Sequence, residues 1–455
     1  MADALASQAS ESTGSPLRPV QAGERIDSVD VLRGFALLGI LLMNIIAFGL
    51  PGAAYYSPAV DGATEGADFW AYVVNWLFIE GTMRAIFSML FGAGVILLTS
   101  RAEARGGGIA VADIYYRRTL WLILLGIIDA YLLLWWGDIL YLYGLAGLVL
   151  FAFRNVAPRI LFGLGLACIA VFVVKHIDYN LSLQDLRQTM QEVHTLQAAG
   201  EELTTSQEAA LVHFQALQAQ YEPSAELIDA EINARQGGYL ENVAFVAPIN
   251  VLWQSKFTYL VGIWDVLAMM FIGMALLKWG IFDAKRSWRF YGAVAVVGYG
   301  IGIPINWYEI QMAVDSSYAW EWTHFEYITT YQFGRAGAAA GHIALVMMLC
   351  KAGLFGWITV PLAAVGRMAL TNYLSHSVIC AIIFTGVGFS LFGELHRAEL
   401  YYVVAGIWIF QLVSSPIWLR YFRFGPVEWL WRSLTYGERQ PMRLTKVEIL
   451  SGQQA

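Results

Sequence analysis

Several side chains in one apolar stretch near the C-terminus have the types that proton-transfer chemistry uses. Residues 366–382 read GRMALTNYLSHSVICAI. On a helix Asn372 and His376 share one face, since they are four residues apart, and Arg367 shares another face with Thr371. Histidine titrates near neutral pH and serves as a general base, and an amide beside it can orient the reacting groups. His376 is therefore a candidate base with Asn372 as an orienting donor; the alternative is a hydrogen-bonded structural histidine.

A second polar set lies on the apolar stretch SVDVLRGFALLGILLMNIIAFGL, residues 28–50. Asp30 and Arg33 are spaced i,i+3 at its start, where they either form an interfacial ion pair or contact a substrate. Asn44 follows eleven residues after Arg33, which places it about 16 Å further along a helix. An amide at that depth needs a hydrogen-bonding partner, so Asn44 is a second candidate orienting group.

A lone arginine also opens the segment EGTMRAIFSMLFGAG. Arg84 either pairs with Glu80 at i,i+4 or binds an anion in a cleft. Further along, Gly137-Asp138 is typical of a tight turn in which the aspartate caps the following helix. The sequence contains no phosphate-binding loop, nucleophile elbow, zinc motif or dinucleotide fingerprint, and no basic aromatic patch for nucleic acid. We therefore expect no metal and no nucleic-acid partner.

The elements that must position these groups are transmembrane helices. The chain is 58% hydrophobic and 14% charged, with mean hydropathy +0.54, whereas an ordinary soluble domain carries about 25% charge. A hydrocarbon core of about 30 Å requires roughly 20 apolar residues per helix. We predict an all-α, polytopic helical membrane protein in the lipid bilayer with ten spans, near 31–50, 82–100, 119–136, 138–153, 159–176, 258–277, 290–306, 334–350, 361–386 and 399–418.

The distribution of Lys and Arg predicts the orientation. With both termini inside, the segments on the cytoplasmic side hold 19 Lys/Arg and those on the outer side hold four. This asymmetry favours an even number of spans with cytoplasmic N- and C-termini. The predicted spans and the polar segments between them divide the chain into five parts. These are a disordered tail (1–24), a first five-helix half (25–176), an insert (177–257), a second five-helix half (258–418) and a basic cytoplasmic tail (419–455).

The insert is the one large polar block. Residues 177–257 carry eleven Asp/Glu against three Lys/Arg and are rich in helix-forming residues. By the predicted topology this is an acidic, helical, extracytoplasmic insert. It is either a solvated cap on the outer face or a lid that selects a substrate.

Five stretches resemble the YeiB-like bacterial inner-membrane proteins, a family catalogued as a domain of unknown function. They are RIDSVDVLRGFALLGILLMNI, FSMLFGAGVILLTSR, RRTLWLILLGIIDAYLLLWWGDILYLYG, VGRMALTNYLSHSVIC and the closing WLRYFRFGPVEWLWRSLTYGERQPMR. Together they cover most of the chain outside 1–24 and the insert. The resemblance implies a bacterial inner (plasma) membrane location.

The N-terminal half of that family is similar, more distantly, to transmembrane acyltransferases of the heparan-α-glucosaminide N-acetyltransferase type. The shared features are an opening R-x-x-S-V-D-x-x-R-G, here Arg25 to Gly34, and the pair Arg117-Arg118 before the third span. This resemblance implies transfer of an acyl group from a cytoplasmic acyl-CoA co-substrate to an extracytoplasmic sugar or lipid acceptor. Arg33, Arg117 and Arg118 would then hold the CoA phosphates.

This chain differs from those enzymes in the residue available as catalytic base. They carry a catalytic histidine before the second span, and residues 51–100 here contain none. Either His376 takes that role, with Asn372 and Asn44 as donors, or the fold is kept without that chemistry. The alternative function is a transporter or flippase for an anionic or amphipathic small molecule, in which the same buried Arg, Asn and His groups would coordinate the passing substrate without covalent chemistry. A non-catalytic partner protein and a homo-oligomer are also left open.

Overall fold

The computed structural model describes residues 26–445, apart from 105 and 107, and the side chains of 321–329 lie outside that description. The predicted tail at 1–24 and the last part of the predicted basic tail, 446–455, also lie outside it. Within the described residues the protein is all-α, as predicted, and forms no β-strand beyond the isolated bridge between Phe422 and Arg443. The fold class predicted from composition is therefore confirmed.

The helices are numbered α1 to α16 along the chain. They are α1 (Asp27–Gly49), α2 (Gly66–Phe78), α3 (Thr82–Ala104), α4 (Ala110–Tyr131), α5 (Leu140–Leu150), α6 (Pro158–Ala199), α7 (Thr205–Tyr221), α8 (Ala225–Gln236), α9 (Tyr239–Leu252), α10 (Ile263–Lys278), α11 (Trp288–Asp315), α12 (Trp320–Ala352), α13 (Gly356–Arg367), α14 (Ala369–Phe384), α15 (Arg397–Tyr421) and α16 (Pro426–Tyr436).

Seven helical segments among the described residues are long and apolar enough to cross a membrane. They are Asp27–Gly49, Gly66–Ala104, Pro158–Ala199, Tyr239–Lys278, Trp288–Asp315, Thr330–Ala352 and Arg397–Tyr421. The other three predicted spans lie on α4, on the short α5 and on the pair α13–α14. The protein is therefore a multi-pass membrane protein.

The predicted span 361–386 is two helices and not one. The backbone leaves the helical conformation at Met368 (φ −107°, ψ 30°), between α13 and α14. The carboxylate of Glu428 accepts hydrogen bonds from the N–H groups of Leu370 and Thr371 at 2.7 and 3.0 Å. A side chain 58 residues further along thus caps the start of α14, which stabilises the break.

The acidic insert is helical, but its predicted limits fall inside continuous helices. Helix α6 runs 42 residues from Pro158 and ends only at Gly200, which has the left-handed φ of 73°. Helix α9 continues through a π-helical stretch, Trp253–Gly262, into α10. No helix breaker separates the apolar and polar parts of α6, so the helix extends beyond the apolar segment.

Helix α1 lies at the centre of the bundle and packs against α3, α13, α14 and α15. Its approach to α13 requires glycine, because a Cβ at Gly366 would lie 1.9 Å from the carbonyl oxygen of Asp30. Helices α11 and α12 form a second close seam, where a Cβ at Gly337 would lie 2.8 Å from the carbonyl oxygen of Gly298. The two helices approach this closely because neither Gly298 nor Gly337 carries a Cβ.

Candidate functional site

A cavity of about 270 Å³ lies at the end of the bundle where α1 begins, which we call the α1 end. Helices α1, α3, α4, α5, α14 and α16 form its wall together with the junction between α13 and α14. Five guanidinium groups from five different parts of the chain line it: Arg33, Arg101, Arg118, Arg367 and Arg432. Such a concentration of one charge in a cleft attracts anions.

Only two carboxylates line this cavity within the described residues, and both have partners. Asp30 accepts a hydrogen bond from Arg33 at 2.8 Å. Glu428 caps α14 and also accepts from the Thr371 hydroxyl at 2.5 Å. The described lining therefore carries three more positive than negative charges, so an anionic ligand would balance it.

Three of the arginines have few protein partners. The guanidinium of Arg118 lies 3.7 Å above the ring of Trp431, and that of Arg432 lies 4.6 Å from the ring of Phe424. Burial lowers the pKa of the Arg432 guanidinium below its ordinary value. The Nε atom of Arg367 is buried without a hydrogen-bond partner among the described residues. Charge-assisted hydrogen bonds to a phosphate or carboxylate would satisfy these groups.

The inner part of the cavity is apolar. Phe87 and Phe91 of α3, Leu122 of α4 and Leu140 of α5 contribute to its wall. The site thus joins a cationic portion to a hydrocarbon-lined portion. This is the complement of a molecule with an anionic head and an apolar tail.

The structure brings together four of the predicted substrate-binding residues. Asp30, Arg33, Arg118 and Arg367 all line the cavity, although they come from three separate regions of the chain. Arg117 is not among the lining residues: it is exposed and donates a hydrogen bond to Asp113 at 3.1 Å. The two adjacent arginines therefore occupy different environments.

The predicted catalytic pair lies outside the cavity lining. His376 Nε2 lies 3.1 Å from the side-chain oxygen of Gln411, and the Gln411 amide donates to the carbonyl oxygen of Asn372 at 3.0 Å. Asn372 donates to the Ser415 hydroxyl at 3.1 Å. These bonds join α14 to α15. They are of the kind expected if His376 is a hydrogen-bonded structural histidine. The catalytic assignment of His376 and Asn372 stays a prediction.

The remaining predicted residues lie elsewhere. Asn44 is half-buried on α1 and is not part of the cavity lining. Arg84 lies at the opposite end of the bundle, where it donates to the Tyr331 hydroxyl at 3.0 Å and lies 3.6 Å from the carboxylate of Asp265. Asp265 also pairs with Arg335. Arg84 is thus part of a charge cluster that includes Glu80, because the Tyr331 hydroxyl accepts from Arg84 and donates to Glu80 at 3.3 Å. Glu80 also accepts from the Tyr55 hydroxyl at 2.9 Å.

Sequence reasoning missed the contribution of the C-terminal helix. Residues 419–455 are predicted as a basic tail, yet α16 in that region closes one side of the cavity. Trp431 donates to the backbone carbonyl of Arg118 at 2.8 Å, which docks α16 on α4. The spacing of Glu428, Trp431 and Arg432 along one helix was the available signal, since it places an acid, an aromatic and a base close together.

Comparison with known proteins identifies the family. Residues 276–438 match the family described as "Protein of unknown function (DUF418)". The chain is 34% identical over 417 residues to the uncharacterized protein YeiB of Escherichia coli (strain K12), an alignment that spans 90% of this chain and 96% of that protein.

Similarity to two proteins from bacilli extends over nearly the whole chain. It is 30% identical over 448 residues to the uncharacterized protein YxaH of Bacillus subtilis (strain 168), across 95% of this chain and all of that protein. An uncharacterized 39.9 kDa protein from the amylase 3' region of Bacillus acidopullulyticus is 26% identical over 432 residues, across 94% of this chain and 99% of that protein. No solved structure matches at a significant level. Given its identity to YeiB and YxaH over nearly their full length, the chain belongs to the YeiB-like family of bacterial membrane proteins.

Proposed function

We propose that this protein is an inner-membrane acyltransferase whose cavity binds acyl-CoA from the cytoplasm. The observation that carries the proposal is the cavity at the α1 end, which combines five arginines with an apolar inner wall. The α1 end would face the cytoplasm, with the acidic insert on the outer side, in agreement with the Lys/Arg distribution. The acceptor would be a sugar or lipid that reaches the site from the membrane or the outer face.

The chemistry of acyl-CoA fits the two parts of the cavity. The CoA moiety carries a diphosphate and a further phosphate, and arginine binds phosphate oxygens through paired N–H groups. Arg118, Arg367 and Arg432 come from three different elements and line the same cavity. The acyl chain would lie between Phe87, Phe91 and Leu122, where each buried methylene stabilises the complex by about 0.8 kcal/mol.

The proposed site does not include His376 and Asn372, because both are held against α15 outside the cavity. A transporter of an amphipathic anion would use the same arginines without any covalent step. Consumption of the thioester distinguishes an acyltransferase from a transporter.

The test is binding and turnover of acyl-CoA by the full chain in lipid nanodiscs. We expect palmitoyl-CoA to bind more tightly than CoA or palmitate alone, since only the intact molecule uses both parts of the cavity. Thiol release should accompany binding when membrane lipid or glycan acceptors are present. Arg432→Gln should weaken binding about tenfold or more, as expected for loss of a charge-assisted contact.

The matched control is Arg289→Gln, which removes an exposed arginine outside the cavity and should leave binding unchanged. Failure of the wild-type protein to bind palmitoyl-CoA would contradict the proposal. Movement of palmitoyl-CoA across proteoliposomes without thiol release would contradict the transferase and favour the transporter.

A further inference from the structure

Tyr373 lies on α14 at the wall of the cavity and is only 2% exposed. Its hydroxyl oxygen accepts two hydrogen bonds, one from the indole N–H of Trp135 and one from the backbone N–H of Ile139, both at 3.2 Å. Leu140, the residue after Ile139, lines the same cavity. The phenol oxygen of this cavity-lining residue is thus held in place by two donors.

The Tyr373 hydroxyl donates no hydrogen bond to any group that the structure describes. No acceptor for its proton is present among the described side chains and backbone groups, since the oxygen is the acceptor in both of its hydrogen bonds. The neighbouring carboxylates of Asp138 and Asp129 form no hydrogen bond with this hydroxyl. Asp138 accepts from the backbone N–H groups of Leu140 and Tyr141 at 3.0 and 2.9 Å. The buried oxygens of Asp129 have no hydrogen-bond partner among the described residues. Because a tyrosine ionises only near pH 10, the hydroxyl retains its proton as an available donor.

Two of the three other tyrosines on the cavity wall, Tyr115 and Tyr143, have partners inside the protein. The hydroxyl of Tyr115 donates to the carbonyl oxygen of Gly147 at 2.7 Å. The hydroxyl of Tyr143 lies 2.6 Å from that of Ser88 and 3.4 Å from the carbonyl oxygen of Arg84. Tyr373 differs from them, because its two partners are both donors.

We propose that Tyr373 is a catalytic residue that donates its hydroxyl hydrogen bond to the carbonyl oxygen of the bound acyl thioester. This assignment rests on the proposed function. During transfer, an acceptor hydroxyl oxygen forms a bond to the acyl carbon, the carbon–sulfur bond breaks, and the acceptor proton leaves with the sulfur as free CoA thiol. Tyr373 undergoes no net change; its hydrogen bond stabilises the negative charge on the carbonyl oxygen in the transition state.

The direct test is isotope-edited infrared spectroscopy of palmitoyl-CoA labelled with ¹³C at the carbonyl and bound to the full chain. A hydrogen bond lowers the carbonyl stretching frequency, so the bound thioester should absorb at lower frequency than in an apolar solvent. Tyr373→Phe should abolish this shift while binding changes by less than about twofold, and should lower turnover by about 100-fold, as for removal of one oxyanion donor.

The matched control is Tyr291→Phe. Tyr291 is fully buried and donates to the carbonyl oxygen of Ile281 at 2.8 Å, outside the cavity. This variant should keep the frequency shift and the turnover. An unchanged carbonyl frequency in Tyr373→Phe overturns the assignment and leaves acyl-CoA binding standing. If the wild-type protein fails to bind palmitoyl-CoA, the proposed function fails and the role of Tyr373 fails with it.

Discussion

At the scale of single residues, the cavity arginines differ in the protein groups that contact their guanidinium groups. Arg33 has the carboxylate of Asp30 at 2.8 Å, whereas Arg118 has only an aromatic face and Arg367 has a buried Nε without a partner among the described residues. A buried charge without a counterion is costly. Arg118 and Arg367 would therefore stabilise a bound anion more than Arg33 would.

The adjacent pair Arg117 and Arg118 provides a test at this scale. Arg118→Gln should weaken binding of palmitoyl-CoA about tenfold or more, because it removes a charged donor from the cavity. Arg117→Gln should change binding by less than about twofold, since Arg117 is exposed and paired with Asp113. Isothermal titration in nanodiscs measures both; equal effects of the two substitutions would contradict the assignment of the cavity as the binding site.

Part of this site could be predicted from single residues. Asp30, Arg33, Arg118 and Arg367 attract attention because charge is unusual beside apolar spans. Glu428 and Arg432 could not be assigned in the same way, because their role depends on how α16 packs against α4 and α14, which are distant in sequence. Asp138, in contrast, caps α5 through the N–H groups of Leu140 and Tyr141, as its local sequence predicts.

At the scale of elements, glycine sets how closely the helices approach. Helix α3 packs against α10, and a Cβ at Gly273 would lie 1.9 Å from the carbonyl oxygen of Met89. The clash is with backbone, so no side-chain rotation can relieve it. The two helices would have to separate.

Gly273→Ala should therefore destabilise the protein by about 1–3 kcal/mol, the usual cost of overpacking. Gly300→Ala is the matched control, because a Cβ at Gly300 on α11 meets nothing within 4 Å; it should be neutral or slightly stabilising, since alanine favours helix over glycine. Thermal unfolding in detergent measures the difference. A Gly273→Ala protein as stable as the control would show that α3 and α10 do not pack as described.

Hydropathy predicts which segments are helices better than it predicts where they stop. The break at Met368 depends on the carboxylate of Glu428, and the extension of α6 to Ala199 depends on polar residues that continue the helix outside the apolar segment. Neither boundary is marked by a change in apolar content alone. The extent of an element in this protein is set by capping groups and neighbouring helices.

At the scale of the whole molecule, the two ends of the bundle have different charge arrangements. The α1 end holds the cavity with its excess of arginine. Toward the opposite end, Arg84 and Arg335 lie against Asp265, and Glu80 accepts from the Tyr331 hydroxyl at 3.3 Å. This second cluster balances its own charge, so it stabilises the contact between α3, α10 and α12 without attracting an anion.

The cavity and this cluster are linked through Tyr143. Its side chain lines the cavity, and its hydroxyl contacts Ser88 and the carbonyl oxygen of Arg84. An anionic ligand would therefore approach from the α1 end, where the unbalanced charge lies, and its apolar part would point toward Tyr143. Composition predicts the helical membrane fold, but this polarity along the bundle depends on contacts between distant helices that no local pattern reveals.

The most direct measurement is an experimental structure of the full chain with S-(2-oxoheptadecyl)-CoA, a non-hydrolysable ketone analogue of palmitoyl-CoA in which a methylene group separates the sulfur from the carbonyl. We predict phosphate groups within hydrogen-bonding distance of Arg118, Arg367 and Arg432, the alkyl chain between Phe87 and Leu122, and the carbonyl oxygen beside the hydroxyl of Tyr373. A ligand located on the lipid-facing surface, with these arginines unoccupied, would contradict the account.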